Sequence, residues 1–391
     1  MSLLTHLECS ACGAHENAAR VANVCVACGG VLLARYDLAV GRRVLARGDL
    51  AGRPRSLWRL RELLPPSAPA ERVTLGEGGT PLLRARRLER ACGHEPVFIK
   101  DEAVNPTQSF KARGMAMAVT CAIARGVTRF AVPSAGNAGG ALAAYAARAG
   151  APAIVVLPSD TPRAFITAAR LHGAHVELVE GHIGDAGRRV AALKEEGWFD
   201  VSTMKEPYRV EGKKTLGFEI VEDLGFRYPD WIVYPTGGGT GLVGMWKAFA
   251  ELEAIGWVSG RRPRMVSVQT EGCAPVVDAF RSGAADVTAP ERPTTRVYGL
   301  RVPKPFAGRL ILAAIRESGG TALAVSENAI AEGTATLPRL AGIDAAPEGG
   351  AAWAGFLTLL REKRIARGDT VVVVNTGAGV LYRDGSEEQP A

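Results

Sequence analysis

Short apolar runs and helix-period patterns alternate along most of this chain. The runs "VFIK", "RFAVPS", "APAIVVLP", "AHVELVE", "DWIVYP", "RMVSVQT" and "DTVVVVNTG" read as strands, several of them apolar throughout, as buried parallel strands are. Between and after them, "KARGMAMAVTCAIARG", "NAGGALAAYAARAG", "TPRAFITAARLHG" and "AGRRVAALKEEG" carry helical spacing. Strand-helix alternation of this kind from about residue 95 onward predicts an α/β protein with two parallel sheets. "RELLPPSAPAERV" (61–73) is proline-rich and reads as a linker or extended arm ahead of that body. No short-period repeat is present.

Composition narrows the class. The chain has 391 residues, 47% hydrophobic and 22% charged, long enough for two or three cores. It contains no apolar stretch long enough for a membrane helix, and its first residues lack the pattern of a secretory leader, so a cytoplasmic protein is expected. The net charge of +7 comes from scattered arginines without a basic-aromatic patch. That distribution argues against a nucleic-acid partner and suits anionic small molecules.

Four of the seven cysteines form two C-x-x-C pairs, Cys9 with Cys12 and Cys25 with Cys28, each followed by glycine. Two such knuckles match a tetrahedral zinc site, with disulfides as the alternative, and a metal would supply what so short a segment cannot bury. Cys92, Cys121 and Cys273 stand alone in apolar or small-residue surroundings and read as structural thiols.

The candidate chemistry lies at strand-to-helix junctions. In "NPTQSFKARG" (105–114), Lys111 follows a loop of turn formers and opens a helix. "WIVYPTGGGTGLVG" joins a strand to a helix through Gly237, Gly238, Gly239, Thr240 and Gly241, whose amides can cradle a phosphate. The same stretch satisfies G-x-G-x-x-G through Gly239, Gly241 and Gly244, with Glu271 as a distant ribose acid, so a dinucleotide enzyme is a competing reading. In "PSAGNAGGA", Ser134, Ala135, Gly136, Asn137, Ala138 and Gly139 offer amides for a carboxylate. "VVVVNTGAG" places Thr376 at the carboxyl end of a buried strand. A lysine, a phosphate cradle, an anion pocket and a strand-end hydroxyl together suit a phosphorylated aldehyde cofactor, whereas a dehydrogenase uses one loop of the four.

In order along the chain, "GEGGTPLL", "NPTQSFKARG", "PSAGNAGGA", "YRVEGKKTLGFEI", "PTGGGTG", "PEGGAA" and "NTGAG" resemble the signatures of the fold-type-II pyridoxal-phosphate enzymes, and among them the threonine synthase branch. The resemblance runs from about residue 70 to the C-terminus, and the cysteine knuckles resemble those on many members of that branch. It implies two three-layer parallel-sheet units after an N-terminal zinc-ribbon-like segment. The expected divisions are residues 1–35 for the ribbon, 36–75 for an arm and 76–391 for the catalytic region, its smaller part at roughly 108–185.

The resemblance further implies that Lys111 forms the Schiff base with pyridoxal 5'-phosphate and moves protons. Asn137 would meet the ring oxygen, residues 237–241 the phosphate, Thr376 the ring nitrogen, and the Ser134–Gly139 amides the substrate carboxylate. A lyase converting O-phosphohomoserine and water to threonine and phosphate by γ-elimination and β-addition is implied, acting as a homodimer on a small amino acid, without nucleic acid or membrane. Departures from that branch, namely Gln108, Ala112, the glycine-only loop around Gly238, and Leu381, keep open a dehydratase, ammonia-lyase or β-replacement enzyme. Arg163, Lys213 and Lys214 are candidate partners for a substrate phosphate. A zinc-ribbon binding module on a catalytically silent fold is a further alternative, against which Lys111, Asn137 and Thr376 argue.

Overall fold

The computed structural model describes residues 1–383. Three sheets organise the chain. An antiparallel ribbon holds β1 (Leu4–Cys9), β2 (His15–Glu16) and β3 (Leu32–Tyr36), in the order β2-β1-β3. The remaining strands are β4 (Leu82–Arg84), β5 (Val97–Asp101), β6 (Phe130–Pro133), β7 (Ala153–Pro158), β8 (His175–Val179), β9 (Phe199–Asp200), β10 (Trp231–Pro235), β11 (Arg264–Thr270), β12 (Thr321–Val325) and β13 (Val371–Asn375). Six of them form one sheet, β12-β11-β10-β13-β5-β4, parallel except for the edge strand β4. Four form a second, fully parallel sheet, β8-β7-β6-β9. The two-sheet α/β architecture read from the alternation is therefore present.

Burial explains the strand compositions. β10 and β13 are buried at every residue, as central parallel strands covered on both faces must be. β8, at an edge, is only half-buried. Helices Tyr208–Asp223 and Thr240–Ala254 pack closely because glycines lie between them: a Cβ at Gly244 would meet the Lys214 amide nitrogen at 2.9 Å, and one at Gly217 the Ala248 Cβ at 2.9 Å. Gly244, a member of the dinucleotide fingerprint in the competing reading, thus serves helix packing.

The stretch expected as an arm lies against the body. Leu57, Leu60, Leu63 and Leu64 are buried, Arg59 holds Glu222 at 2.7 Å, and Arg53 holds Glu62 at 2.7 Å. The ribbon is anchored by a buried ionic cluster. Tyr36 donates to Glu211 at 2.6 Å, Lys214 pairs with Glu211 and with Glu251 at 2.9 Å, and Lys247 reaches Glu211 at 3.0 Å. Burial raises the cost of these charges, so each is met by an opposite one. Among the described residues no helix is long and apolar enough to cross a membrane.

Candidate active site

A cavity of about 640 Å³ is lined by loops from both large sheets. The loops that follow β6, β10 and β13 reach it, bringing Ser134–Ala138, Gly237–Thr240 and Thr376 to one space with Lys111. Ligands of open parallel sheets bind at such carboxyl ends, where connecting loops diverge. Of the residues singled out above, Gly139 and Gly241 are not in its lining, and the four N-terminal cysteines are elsewhere, on the ribbon.

Lys111 is the first residue of helix Lys111–Ile123. The loop before it is pinned to the strand-end loop after β13: the Phe110 amide donates to the Thr376 carbonyl at 2.9 Å, and Ser109 bridges Gly377. Gln108 adopts the left-handed conformation at φ 53°, which glycine takes without strain. The Lys111 amine stands 4.3 Å from the centre of the Phe110 ring. Desolvation, reinforced by the Arg209 guanidinium and opposed by Glu348, pulls its pKa down to about 8. Lys213 lies against the same ring at 3.9 Å and donates to the Phe110 carbonyl.

Beneath the first turn of this helix runs a buried charge network. Arg113 donates to Glu102 at 2.6 and 2.8 Å and to Glu219 at 2.6 and 2.7 Å, and Lys100 holds Glu219 at 2.9 Å. Thr80 of "GEGGTP" donates to Glu102 at 2.5 Å, and the Gly79 amide to Glu219 at 2.8 Å. Two signature stretches far apart in sequence thereby fix the base of one helix.

Ser134 spends its hydroxyl locally. It donates to the Gly136 carbonyl at 2.8 Å and accepts from the amides of Gly136 and Gly139 at 3.1 and 3.0 Å. Those two amides are thus committed to shaping the loop. Asn137 donates through Nδ2 to the Tyr382 hydroxyl at 3.3 Å, while its Oδ1 is buried without a partner. Tyr382 in turn donates to Glu348 Oε1 at 2.9 Å, which also accepts from the Gly299 amide at 2.9 Å. Burial raises the Glu348 carboxyl above its ordinary value, and its Oε2 is unpartnered.

The glycine loop is held as tightly by the protein as its sequence suggests. Gly239, at φ 72°, opens helix Thr240–Ala254, and a Cβ at Gly241 would fall 2.2 Å from the Tyr234 hydroxyl. Thr376 is buried beside it at the cavity wall.

The basic side chains at the cavity differ from those proposed on sequence. Lys214 is consumed by Glu211 and Glu251, Lys213 is occupied with Phe110, and Arg163 is exposed outside the cavity lining. The cavity instead presents Arg188, Lys205, Arg301 and Lys304. Arg301 forms a two-pronged pair with Asp160 at 2.8 and 3.0 Å, whereas Lys205 and Lys304 have no ion pair among the described residues. Glu348 was within reach of sequence reasoning through the "PEGGAA" signature. Tyr382 and the lysines carried no pattern, because loops far apart in sequence deliver them.

On the ribbon, the sulfurs of Cys9 and Cys28 are 3.4 Å apart and those of Cys12 and Cys25 3.7 Å, all four within 4.8 Å. These separations are near the edge of a zinc–thiolate tetrahedron, about 3.8 Å for bonds of about 2.3 Å, and far beyond a disulfide bond of about 2 Å. Against the opposing effect of burial, the amides of Cys12 and Ala11 bring the Cys9 thiol down to about 7. Cys121 and Cys273 are buried, and burial raises both thiols, Cys273 to about 11.

Comparison with known proteins agrees with this geometry. A family model described as pyridoxal-phosphate dependent enzyme matches residues 73–377. Threonine synthase of Methanosarcina acetivorans is 38% identical, over 95% of this chain and 91% of its own. Threonine synthase of Methanocaldococcus jannaschii is 35% identical, over 96% of this chain and 93% of its own. Among solved structures, a threonine deaminase of T.th. superposes with a TM-score of 0.65 at 26% identity, covering 79% of this chain and 94% of that one. Maize serine racemase, at 20% identity and a TM-score of 0.66 over 78% of this chain and 90% of that one, shares the fold.

Proposed function

The chain belongs to the pyridoxal-phosphate-dependent enzymes, and on that premise we propose that it is a threonine synthase, a lyase converting O-phosphohomoserine and water to threonine and phosphate. The observation that carries this reading is kinship with proteins of that name across nearly the whole chain.

The residues fit the cofactor. An amine near neutrality, a glycine turn at a helix N-terminus, an amide side chain with an orphaned oxygen and a strand-end hydroxyl surround one cavity. Lys111, Asn137, Gly237, Gly238, Gly239, Thr240, Gly241 and Thr376 are the residues we assign to holding it. When bound, pyridoxal phosphate supplies an aldehyde that condenses with amines and a ring that accepts the electron pair left on the substrate's Cα.

The protein's own groups do the rest. Lys111 Nζ takes the proton from Cα, a role that needs a neutral amine and gains from a depressed pKa. The amides of Ala135, Asn137 and Ala138 face the substrate carboxylate, since those of Gly136 and Gly139 are spent on Ser134. Lys205 and Lys304, free of ion pairs among the described residues, attract the substrate phosphate to the cavity. Thr376 presents a hydroxyl, which carries no charge to hold a ring proton, and this favours elimination and replacement over transamination.

The second reading, a dehydratase or ammonia-lyase, draws on the glycine-only loop and on the likeness to threonine deaminase. The remaining assignments rest on kinship and composition: zinc on Cys9, Cys12, Cys25 and Cys28, a homodimer, and a cytoplasmic site. We retain the division into ribbon (1–35), arm (36–75) and catalytic region, with the smaller unit beginning near residue 108.

The test is an absorbance spectrum of the purified protein beside Lys111→Ala, followed by separate additions of O-phosphohomoserine, threonine and serine. A visible band lost in the variant, with phosphate release and threonine formation from O-phosphohomoserine, is the expected result. Oxo acid and ammonia from threonine or serine alone would give the function to the second reading. A protein that takes up no pyridoxal phosphate at Lys111 would overturn both.

A further inference from the structure

We propose that the N-terminal ribbon carries a second divalent-metal site, built by His6, Glu8 and His15 and suited to zinc. It lies across the sheet from the face that buries Cys9. Along β1, Leu7 and Cys9 are buried while His6 and Glu8 point the other way, as strand alternation requires. His15 on β2 is the cross-strand partner of Glu8, which brings it to the same patch.

The geometry converges. The two imidazoles stack with centroids 4.1 Å apart and planes at 29°. Each Nε2 is 3.9 Å from Glu8 Oε2, and the three ligand atoms lie within 4.8 Å of one another. A separation of 3.9 Å is too long for a hydrogen bond. His6 Nε2 is accordingly buried with no partner, a costly state for a polar atom unless an ion or a water completes it.

Proton accounting leaves room for an ion there. The Thr5 hydroxyl has one proton and donates it to the Arg35 carbonyl at 2.9 Å. Towards His6 Nδ1, also at 2.9 Å, it must therefore accept, so the ring proton sits on Nδ1. When the imidazole carries that proton alone, a lone pair on Nε2 faces the carboxylate oxygen of Glu8. Two acceptors facing each other repel unless a cation or a donor lies between them, and a divalent cation satisfies both His rings and the carboxylate at once. Arg35 occupies the other Glu8 oxygen at 2.9 Å and leaves Oε2 for the metal. A neutral imidazole whose second nitrogen is fixed by a neighbouring oxygen is the usual state of a metal-bound histidine.

Two imidazoles and one carboxylate suit zinc, with the fourth position open to water. Ligand atoms around zinc lie about 3.4 Å apart for bonds of about 2.1 Å, a contraction that takes rotation of the largely exposed His15 and a shift of the Glu8 carboxyl of about half an ångström towards His6. The site's effect is structural: it clamps the two-residue β2 to β1 between the cysteine knuckles.

The test is zinc stoichiometry of the untagged full-length enzyme and of His15→Ala after equilibrium dialysis, with cobalt substitution of each. His15 is exposed, so the variant should fold, which circular dichroism checks. The expected result is one metal equivalent fewer per chain in His15→Ala, with the cobalt–thiolate charge-transfer band unchanged. Equal stoichiometry in the two proteins overturns the proposal. So does a loss of metal accompanied by loss of the thiolate band, which would place the missing ion among the cysteines. Glu8→Gln, which keeps the side chain's shape, should lower zinc affinity at the same equivalent and leave the thiolate band intact.

Discussion

At the residue scale, the behaviour of Lys111 follows from what surrounds it. With a pKa of about 8, roughly one amine in ten is neutral at pH 7, against about one in 2,500 for an ordinary lysine near 10.4. Capture of pyridoxal phosphate by the apo protein should therefore speed up as pH rises and level off above about 8. Glu348 holds the lysine's pKa up, opposing burial and Arg209. Glu348→Gln should remove that support and displace the profile to lower pH, while keeping an acceptor for Tyr382 and Gly299. Stopped-flow absorbance across a pH series measures the shift, and an unmoved profile would mean that Glu348 does not act on Lys111. The sequence offered Lys111 through its position between loop and helix. It gave no sign of Arg209, which reaches the same region from a separate helix.

At the element scale, two supports make distinct predictions. The first turn of helix Lys111–Ile123 rests on Arg113, gripped by two buried carboxylates. Arg113→Met leaves Glu102 and Glu219 without their principal counter-charge, which should cost about 3–5 kcal/mol in urea unfolding. Both carboxyls are held below their ordinary values chiefly by this arginine, acting against the desolvation that would raise them. In the parent, that stabilisation is present at neutral pH and is lost as pH falls through the carboxylate range. In the variant the carboxyls titrate higher, so the stability gap between the two proteins should narrow on acidification.

The glycine turn after β10 makes the second prediction. Gly241→Ala sets a methyl against the Tyr234 hydroxyl, an overpacking cost of about 1–3 kcal/mol, seen as weaker retention of pyridoxal phosphate on dialysis. Adding Tyr234→Leu, which removes the hydroxyl and the ring atoms that the methyl would meet at 2.2, 2.6 and 3.0 Å, should restore much of the loss. Failure of that rescue would point to a need for the bare glycine amide instead of a steric limit.

At the scale of the whole molecule, loops from both large sheets line the cavity, and Arg301 in its wall pairs with Asp160, which lies just beyond the end of β7. The Asp160 side chain is half exposed, which limits such a pair to about 0.2–1 kcal/mol. Asp160→Asn should raise KM roughly two- to fivefold with little change in kcat, and added salt should shrink the difference between parent and variant. A change confined to kcat would instead place Arg301 at the reacting atoms.

The alternation of apolar runs and helical spacing was enough to determine the α/β class, the positions of the principal strands and the loops that bear Lys111, Asn137, Gly237–Gly241 and Thr376, because strand periodicity, glycine turns and helix starts are local properties of the chain. Tertiary structure decided what those loops meet. It committed Ser134 to its own loop, spent Lys213 and Lys214 on internal contacts, exposed Arg163, and delivered Glu348, Tyr382, Lys205 and Lys304 to the cavity. It also packed the proline-rich arm against the body and placed His6, Glu8 and His15 on one face of the ribbon. A charge is free or consumed according to neighbours that lie far away in sequence, and only the folded chain brings those neighbours within reach.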